Sequence, residues 1–329
     1  MLTDKVRSIQ QSQNPPAILV IGDLMIDHYI WGDATRLSPE APVPIVNVKN
    51  ESTTLGGAAN VAQNLVSLGA KVTLGGVIGD DDFGARLIEI LASEGIATDA
   101  ILKDTQRPTT VKTRVVAGSH QLVRVDREVT DPIRSVLEDE LVTSLGAYIN
   151  EADIVLFSDY GKGLFSPALT QRLIQVISSK NKKVIIDPKG LNYEKYKGAF
   201  MIKPNRKELA EAAKAEKIKT IEDLQKAART IFEQTKVEYL VVTLSEEGMV
   251  ILDENGYQTL PVKATAVFDV TGAGDTVLAT IAYFIASGLS IEEACELANH
   301  AAAIVIRRVG SATTTIDEII NDIETGFKS

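Results

Sequence analysis

Between residues 132 and 244 the chain changes repeatedly from helical to extended pattern. Helical spacing over 133–149 gives way to DIVLFSD (153–159), 167–179 to KVIIDP (183–188), and 221–234 to YLVVTL (239–244). AFMIKPN (199–205) runs into the helical RKELAEAAK. These extended runs are short and apolar, so both of their faces must be covered. Strands of that kind joined by helices pack as a parallel sheet with helices on both sides. The first half fits the same plan. AILVIG (17–22) and 71–77 read as strands, and 57–68 and 83–93 as helices closed by Gly69 and Gly95. The last quarter is helical over 275–287 and 291–308, with Gly288 between. The expected fold class is α/β, a doubly wound and mainly parallel sheet with helices on both faces. Two stretches break the rhythm. PVPIVNV (42–48) and the strand–turn–strand pattern of 109–125, turning at Gly118, predict a small β-lid over one edge, spanning about 31–50 and 107–127. No linker or repeat divides the 329 residues, so a single domain is expected.

A formal net charge of −10 disfavours a nucleic acid as partner, because phosphate backbones are met by basic faces. A small molecule fits better, and an anionic one needs its positive charges gathered locally. The single cysteine, Cys295, can form neither an internal disulfide nor a zinc cluster, and reads as a buried small side chain. His28, His120 and His300 lie far apart, without metal-ligand spacing. No signal-peptide segment leads the sequence and no apolar run approaches a membrane span. A cytoplasmic protein without membrane contact is expected.

The segment richest in chemistry is Asp269-Val270-Thr271-Gly272-Ala273-Gly274-Asp275, directly before the apolar helix TVLATIAYFIA. Its glycines allow tight backbone and close approach by a ligand. The unpaired N–H groups of a first helical turn, aided by the helix dipole, attract an anion. A carboxylate at Asp275 suits passive phosphate binding badly, yet is well placed to take a proton from an attacking hydroxyl. Taken alone, the segment reads equally well as a plain turn with Asp275 as helix cap. No GxxxxGK[ST] occurs, and the first strand ends in GDLMID, not GxGxxG. Neither a P-loop nor a dinucleotide fold is expected.

Three separated motifs resemble those of the ribokinase-like (PfkB) carbohydrate kinases. Gly56-Gly57-Ala58-Ala59-Asn60-Val61-Ala62 is followed by Gly69 and Gly79, Asn205-Arg206-Lys207-Glu208 matches an NxxE, and DVTGAGDT covers 269–276. The likeness runs over essentially the whole chain and implies a kinase that uses ATP and Mg²⁺. It implies Asp275 as catalytic base, and the amides of Gly272, Ala273, Gly274 and Asp275 as the anion hole for the transferring phosphoryl group. Asn205 and Glu208, one helical turn apart, would order Mg²⁺ through water. Nucleotide contacts would come from Asn205, Arg206, Lys207 and Glu208, from Thr243, Ser245 and Gly248 of the loop TLSEEG, and from Asn299 at the adenine side. Ser245 stands where glycine is common. Asp269, Thr271 and Gly310 would contribute to a K⁺ site. At the sugar end Asp23, Asp27, Gly56, Gly57 and Asn60 would meet hydroxyls.

Within that family, Arg36-Leu37-Ser38-Pro39-Glu40-Ala41-Pro42-Val43-Pro44, Ser158-Asp159-Tyr160-Gly161-Lys162-Gly163 and Asp187-Pro188-Lys189-Gly190 resemble the bacterial D-glycero-β-D-manno-heptose 7-phosphate kinases. The implied reaction is phosphorylation of the C1 hydroxyl to the 1,7-bisphosphate, for ADP-heptose and lipopolysaccharide core. A sugar that already carries a phosphate calls for local cations; Lys162, Lys189 and, on the lid, Arg124 are the candidates. Many proteins of this kind carry a C-terminal nucleotidyltransferase domain, which is not expected within these 329 residues. The rival readings are another ribokinase-like kinase, for fructose 6-phosphate, ribose or a keto-deoxy acid, and a non-catalytic sugar-binding protein on the same scaffold. Open strand edges on the lid suggest a homodimer joined there.

Overall fold

The computed structural model describes residues 1–118, 120–262 and 267–326. The first half contains α1 (Leu2–Gln10), β1 (Ala17–Gly22), β2 (Leu24–Leu37), β3 (Pro44–Gly57), α2 (Ala58–Ser67), β4 (Lys71–Gly79), α3 (Asp82–Ser93), β5 (Ala97–Asp104), β6 (Thr110–Ala117) and β7 (His120–Arg127). Next come α4 (Ser135–Glu151), β8 (Ile154–Ser158), α5 (Pro167–Ser179), β9 (Lys183–Asp187), β10 (Met201–Ile202), α6 (Arg206–Ala212), α7 (Ile221–Thr235) and β11 (Tyr239–Thr243). The chain closes with β12 (Met249–Leu252), β13 (Tyr257–Leu260), α8 (Ala273–Ala286), α9 (Ile291–Val305) and α10 (Ile316–Gly326).

Among the described residues, nine strands form one sheet in the order β13-β12-β11-β10-β9-β8-β1-β4-β5. Its members are parallel except for β12 and β13, which add an antiparallel hairpin at one edge. Successive side chains of a strand point to opposite faces, and β1 shows what that demands. Ile18 and Val20 enter an apolar cluster with α2, α8 and α9, while Leu19 and Ile21 enter a second one with α4, α5 and α7. A strand buried on both faces must be apolar throughout, which is why these runs do not alternate. After β4 and β5 are laid on one side of β1, the chain crosses to its other side with β8. That reversal opens a crevice at the carboxyl ends of the strands, where ligands bind in sheets of this kind.

A second sheet, ordered β3-β2-β6-β7, forms the lid. It is larger than the expected 31–50 and 107–127: β2 begins at Leu24, one residue past β1, and β3 runs to Gly57. Asp23 and Asp27 break the apolar pattern there, so the stretch reads locally as a turn. Pairing with β3 on one side and β6 on the other makes it a strand, with Asp27 opposite Thr54 and Lys112. Ser119, inside the expected 109–125 hairpin, lies outside the described residues. The strand expected over 199–205 shrinks to Met201–Ile202, because Pro204 has no N–H for a ladder. The elements α1, β5, β12, β13 and α10 had no counterpart in the sequence reading.

Candidate active site

The loops leaving β8, β9, β10 and β11 converge with the first turn of α8 around a cavity of about 220 Å³. Tyr160, Asp187, Lys189, Lys203, Asn205, Glu208, Thr243, Gly272, Gly274 and Asp275 line it. Gly272 is the helix cap, at φ 77°, a left-handed conformation that favours glycine. A Cβ there would also come within 3.0 Å of Asn60 Nδ2. Asp275 is therefore the third helical residue, not the cap. The amide of Ala273 closes the turn on the Val270 carbonyl at 3.2 Å. The amides of Gly274 and Asp275 have no acceptor among the described residues, as the first turn of a helix dictates.

Asp275 is buried, and both of its oxygens are engaged. Tyr160 donates its hydroxyl to Oδ1 at 2.5 Å and Asn60 donates Nδ2 to Oδ2 at 2.6 Å. Burial raises the Asp275 pKa above the ordinary carboxylate range, while these two donors and the nearby Lys203 ammonium pull it back. Burial and the charge of Asp275 push the Tyr160 phenol well above its usual value, so it stays a donor. Asn60 lies in the first turn of α2, 215 positions from Asp275. The same two helices are tied again where Thr276 Oγ1 donates to Asn64 Oδ1 at 2.8 Å. Two distant motifs thus meet on one carboxylate.

The 158–163 loop is shaped by two other carboxylates. Asp23 accepts the amides of Tyr160 at 2.8 Å, Lys162 at 3.1 Å and Leu164 at 3.4 Å. Burial and the neighbouring Asp159 raise its pKa to about 6, against the pull of those amides. Asp159 accepts from Gly161 N at 2.7 Å, from the Tyr196 hydroxyl at 2.7 Å and from Lys195 Nζ at 2.5 Å. A Cβ on Gly163, at φ 90°, would stand 2.0 Å from the Asp131 carbonyl. The loop therefore needs glycine at 163, and it delivers Tyr160 to Asp275.

On the opposite wall Asn205 caps α6. Its Oδ1 accepts Glu208 N at 2.9 Å, and Glu208 Oε2 accepts Asn205 N at 3.0 Å. The other oxygen, Oε1, pairs with Lys189 Nζ at 2.9 Å. Helix start and cavity wall are the same residues. Lys203 Nζ lies 3.1 Å from Asp187 Oδ1. Burial raises the Asp187 pKa to about 6 although Lys203 opposes the rise, and the charges of Asp275 and Glu208 add to it.

Other expected ligand contacts are not among the residues lining this cavity. Lys207 is 84% exposed and pairs with Glu211, and Arg206 pairs with Glu247 at 2.6 Å. Ser245 is exposed at φ 55°, and Gly248, at φ 89°, turns β11 toward β12. Asn299 donates to the Leu260 carbonyl at 3.0 Å. Arg124 closes on Asp126 with two hydrogen bonds. Lys162 Nζ sits 2.7 Å from Glu128, which also holds Lys112 at 3.3 Å. Asp27 pairs with Arg114, and Gly56 leaves room for that carboxylate, since a Cβ there would lie 2.6 Å from Asp27 Oδ2. Gly57, at φ 56°, caps α2. Asp269 accepts the amide and hydroxyl of Thr271 at 2.9 and 2.7 Å and the amide of Gly310 at 2.8 Å, so these three do come together.

Tyr160, Asp187, Lys203 and Arg114 went without a role in the sequence reading. A lysine and an aspartate closing otherwise apolar strands were visible signals for Lys203 and Asp187, because such charges are seldom buried unless paired. Tyr160 stood inside a stretch already noted, without a role of its own, and nothing local marks Arg114.

Residues 16–318 match the family model of pfkB family carbohydrate kinases. The bifunctional protein HldE of Helicobacter hepaticus is 48% identical over 310 residues, 94% of this chain and 64% of that relative. HldE of Campylobacter fetus is 45% identical over 304 residues, 92% of this chain and 66% of that relative. The chain thus spans slightly under two thirds of these relatives. Among solved structures, Arabidopsis thaliana ribokinase with ribose and ATP superposes with a TM-score of 0.75 at 19% identity, covering 94% of this chain and 99% of the other. The tetrameric inhibited form of Escherichia coli phosphofructokinase-2 gives 0.77 at 19% identity, covering 94% and 99%. At that identity the two structures establish a shared fold.

Proposed function

The chain belongs to the pfkB family of carbohydrate kinases, and on that premise we propose that it transfers the terminal phosphoryl group of ATP to the C1 hydroxyl of D-glycero-β-D-manno-heptose 7-phosphate, giving the 1,7-bisphosphate for ADP-heptose formation. The observation that carries the kinase reading is the position of Asp275, a carboxylate on the cavity wall beside amides that have no acceptor among the described residues. An acceptor hydroxyl reaching it would exchange with Tyr160 or Asn60 and pass its proton to the carboxylate as its oxygen bonds to phosphorus. The bond from that phosphorus to the leaving diphosphate breaks. A loose transition state needs little base strength, so a carboxylate suffices. The amides of Gly274 and Asp275 would meet the charge on the phosphoryl oxygens. Asn205 and Glu208 present oxygen donors beside the cavity, a set that suits a hydrated hard cation. Mg²⁺ held there would neutralise phosphate charge. The loop joining Asp269, Thr271 and Gly310 is the proposed seat of K⁺.

The heptose assignment is supported by the three stretches containing Arg36, Tyr160 and Lys189, and by the likeness to the HldE proteins. For the 7-phosphate, Lys162 is the best placed of the suggested cations. It lies two residues past Tyr160 and faces Lys112 of the lid across Glu128. Lys189 is engaged on the Glu208 side, and Arg124 is closed on Asp126. A homodimer through the lid is part of the proposal, because β7 is exposed along its length with Leu122, Val123 and Val125. Sedimentation velocity tests it. No helix among the described residues is long and apolar enough to cross a membrane, and a cytoplasmic location is proposed together with the activity. ADP release with heptose 7-phosphate, fructose 6-phosphate and ribose tests the substrate. The heptose should give the highest kcat/KM; preference for either other sugar rejects it.

A further inference from the structure

The cavity beside Asp275 does not keep water out by size. Its volume of about 220 Å³ has room for several water molecules. Water offers an attacking oxygen and a proton just as a sugar hydroxyl does, so a base left open here would hydrolyse ATP. The fold instead closes the base itself. Asp275 is 7% exposed, and each of its oxygens already accepts a donor from the protein, Tyr160 on Oδ1 at 2.5 Å and Asn60 on Oδ2 at 2.6 Å.

The two donors differ in how they are held. Asn60 belongs to α2, which is tied to the helix of Asp275 through Asn64 and Thr276. It is fixed to the same core as the base. Tyr160 comes from a loop whose backbone is pinned, its own amide to Asp23 at 2.8 Å and the amide of Gly161 to Asp159 at 2.7 Å. The phenol can therefore leave and return by side-chain rotation alone, with the loop in place. Exchange at Oδ1 then discriminates by anchorage. A hydrogen bond to an ionised group is roughly twice as strong as a neutral one, and a free water that displaced the phenol would gain nothing beyond its own bond. A sugar phosphate held at other points of the site presents its hydroxyl at high effective concentration. Its remote contacts can drive the displacement.

We propose that Tyr160 is a specificity-determining residue: it caps the base until a bound sugar replaces it, and so protects ATP from water. The inference rests on the kinase reading. In the reaction it suppresses, a water oxygen bonds to phosphorus and the bond from that phosphorus to the leaving diphosphate breaks. One water proton goes to Asp275, and the products are ADP and inorganic phosphate. Tyr160→Phe removes the donor and keeps the ring. Phosphate release from ATP and Mg²⁺ without sugar is measured at about pH 9, where carboxylates are ionised. It should be at least about tenfold faster in Tyr160→Phe than in wild type, within the range of a positioned base. Adding Asp275→Asn to that variant should return it to the wild-type level. Loosened packing alone lowers turnover and gives no such gain. A sugar-free rate within about threefold of wild type, or a gain that survives Asp275→Asn, would overturn the proposal. Tyr160→Leu is read by the same criteria if Tyr160→Phe does not fold. Failure of the wild type to phosphorylate any sugar phosphate would instead count against the kinase reading.

Discussion

The hydroxyl of Tyr160 donates to Oδ1 of Asp275 at 2.5 Å. This bond stabilises the charged carboxylate against the burial that raises its pKa. In Tyr160→Phe that support is gone and the Asp275 pKa rises further. A base works deprotonated, so activity is lost as pH falls through its pKa. The acid limb of kcat/KM should therefore move to higher pH in Tyr160→Phe. An unmoved limb would separate Tyr160 from the base.

Asp275→Asn should lower kcat by about 10²–10⁴-fold, the usual worth of a positioned base. The amides of Gly274 and Asp275 stay where they are, so nucleotide affinity should be retained. The neutral side chain also ends the cost of a buried charge, and thermal melting at pH 8 should be no lower than in wild type. Rapid-quench turnover and calorimetric titration check the two halves.

Gly56→Ala would set a methyl 2.6 Å from Asp27 Oδ2. The carboxylate must move, and its pair with Arg114 is disturbed. Asp27 lies on the lid and not on the Asn205 wall, so KM for the sugar should rise about tenfold or more with nucleotide affinity unchanged. Equal losses on both substrates would contradict the assignment of this corner to the sugar.

Glu208→Ala removes a cap and a cavity oxygen at once. Loss of the reciprocal Asn205–Glu208 bonds should cost about 1 kcal/mol of stability. If the same carboxylate orders Mg²⁺, the Mg²⁺ concentration for half-maximal activity should rise about tenfold or more. A lower melting temperature with an unaltered Mg²⁺ dependence would leave Glu208 a cap alone.

Asp23 titrates near pH 6 when folded, against 3.8 as its ordinary value. Folded Asp23 keeps its proton where the unfolded chain has released it. Its contribution is present below about pH 4 and is lost as pH rises through 6. The unfolding free energy of wild type relative to Asp23→Asn should fall by roughly 3 kcal/mol between pH 4 and 7, at about 1.36 kcal/mol per unit. Urea titrations of both proteins across that range measure it, and a rising difference would refute the burial argument.

The sheet and its helices were legible because their signals are local. Ile18 to Ile21 are apolar without alternation, and Ser166, Thr220 and Ser290 stand as caps before their helices. The turn at Gly272 and Gly274 was legible for the same reason. By itself the sequence determined a parallel α/β protein with an anion-binding helix start and a carboxylate beside it.

Tertiary structure decided how that carboxylate is held and which other charges share its cavity. Asn60 and Tyr160 reach Asp275 from 215 and 115 positions away. Contacts over such distances leave no periodicity in a sequence. Whether Asp23, Asp187 and Lys203 are buried likewise depends on neighbours supplied by other strands. Strand β2 exists because β3 and β6 flank it, against the reading that Asp23 and Asp27 invite. Local propensity acts within a few residues, whereas desolvation and pairing of charge act through space, and that difference separates what the chain announces from what only its folding settles.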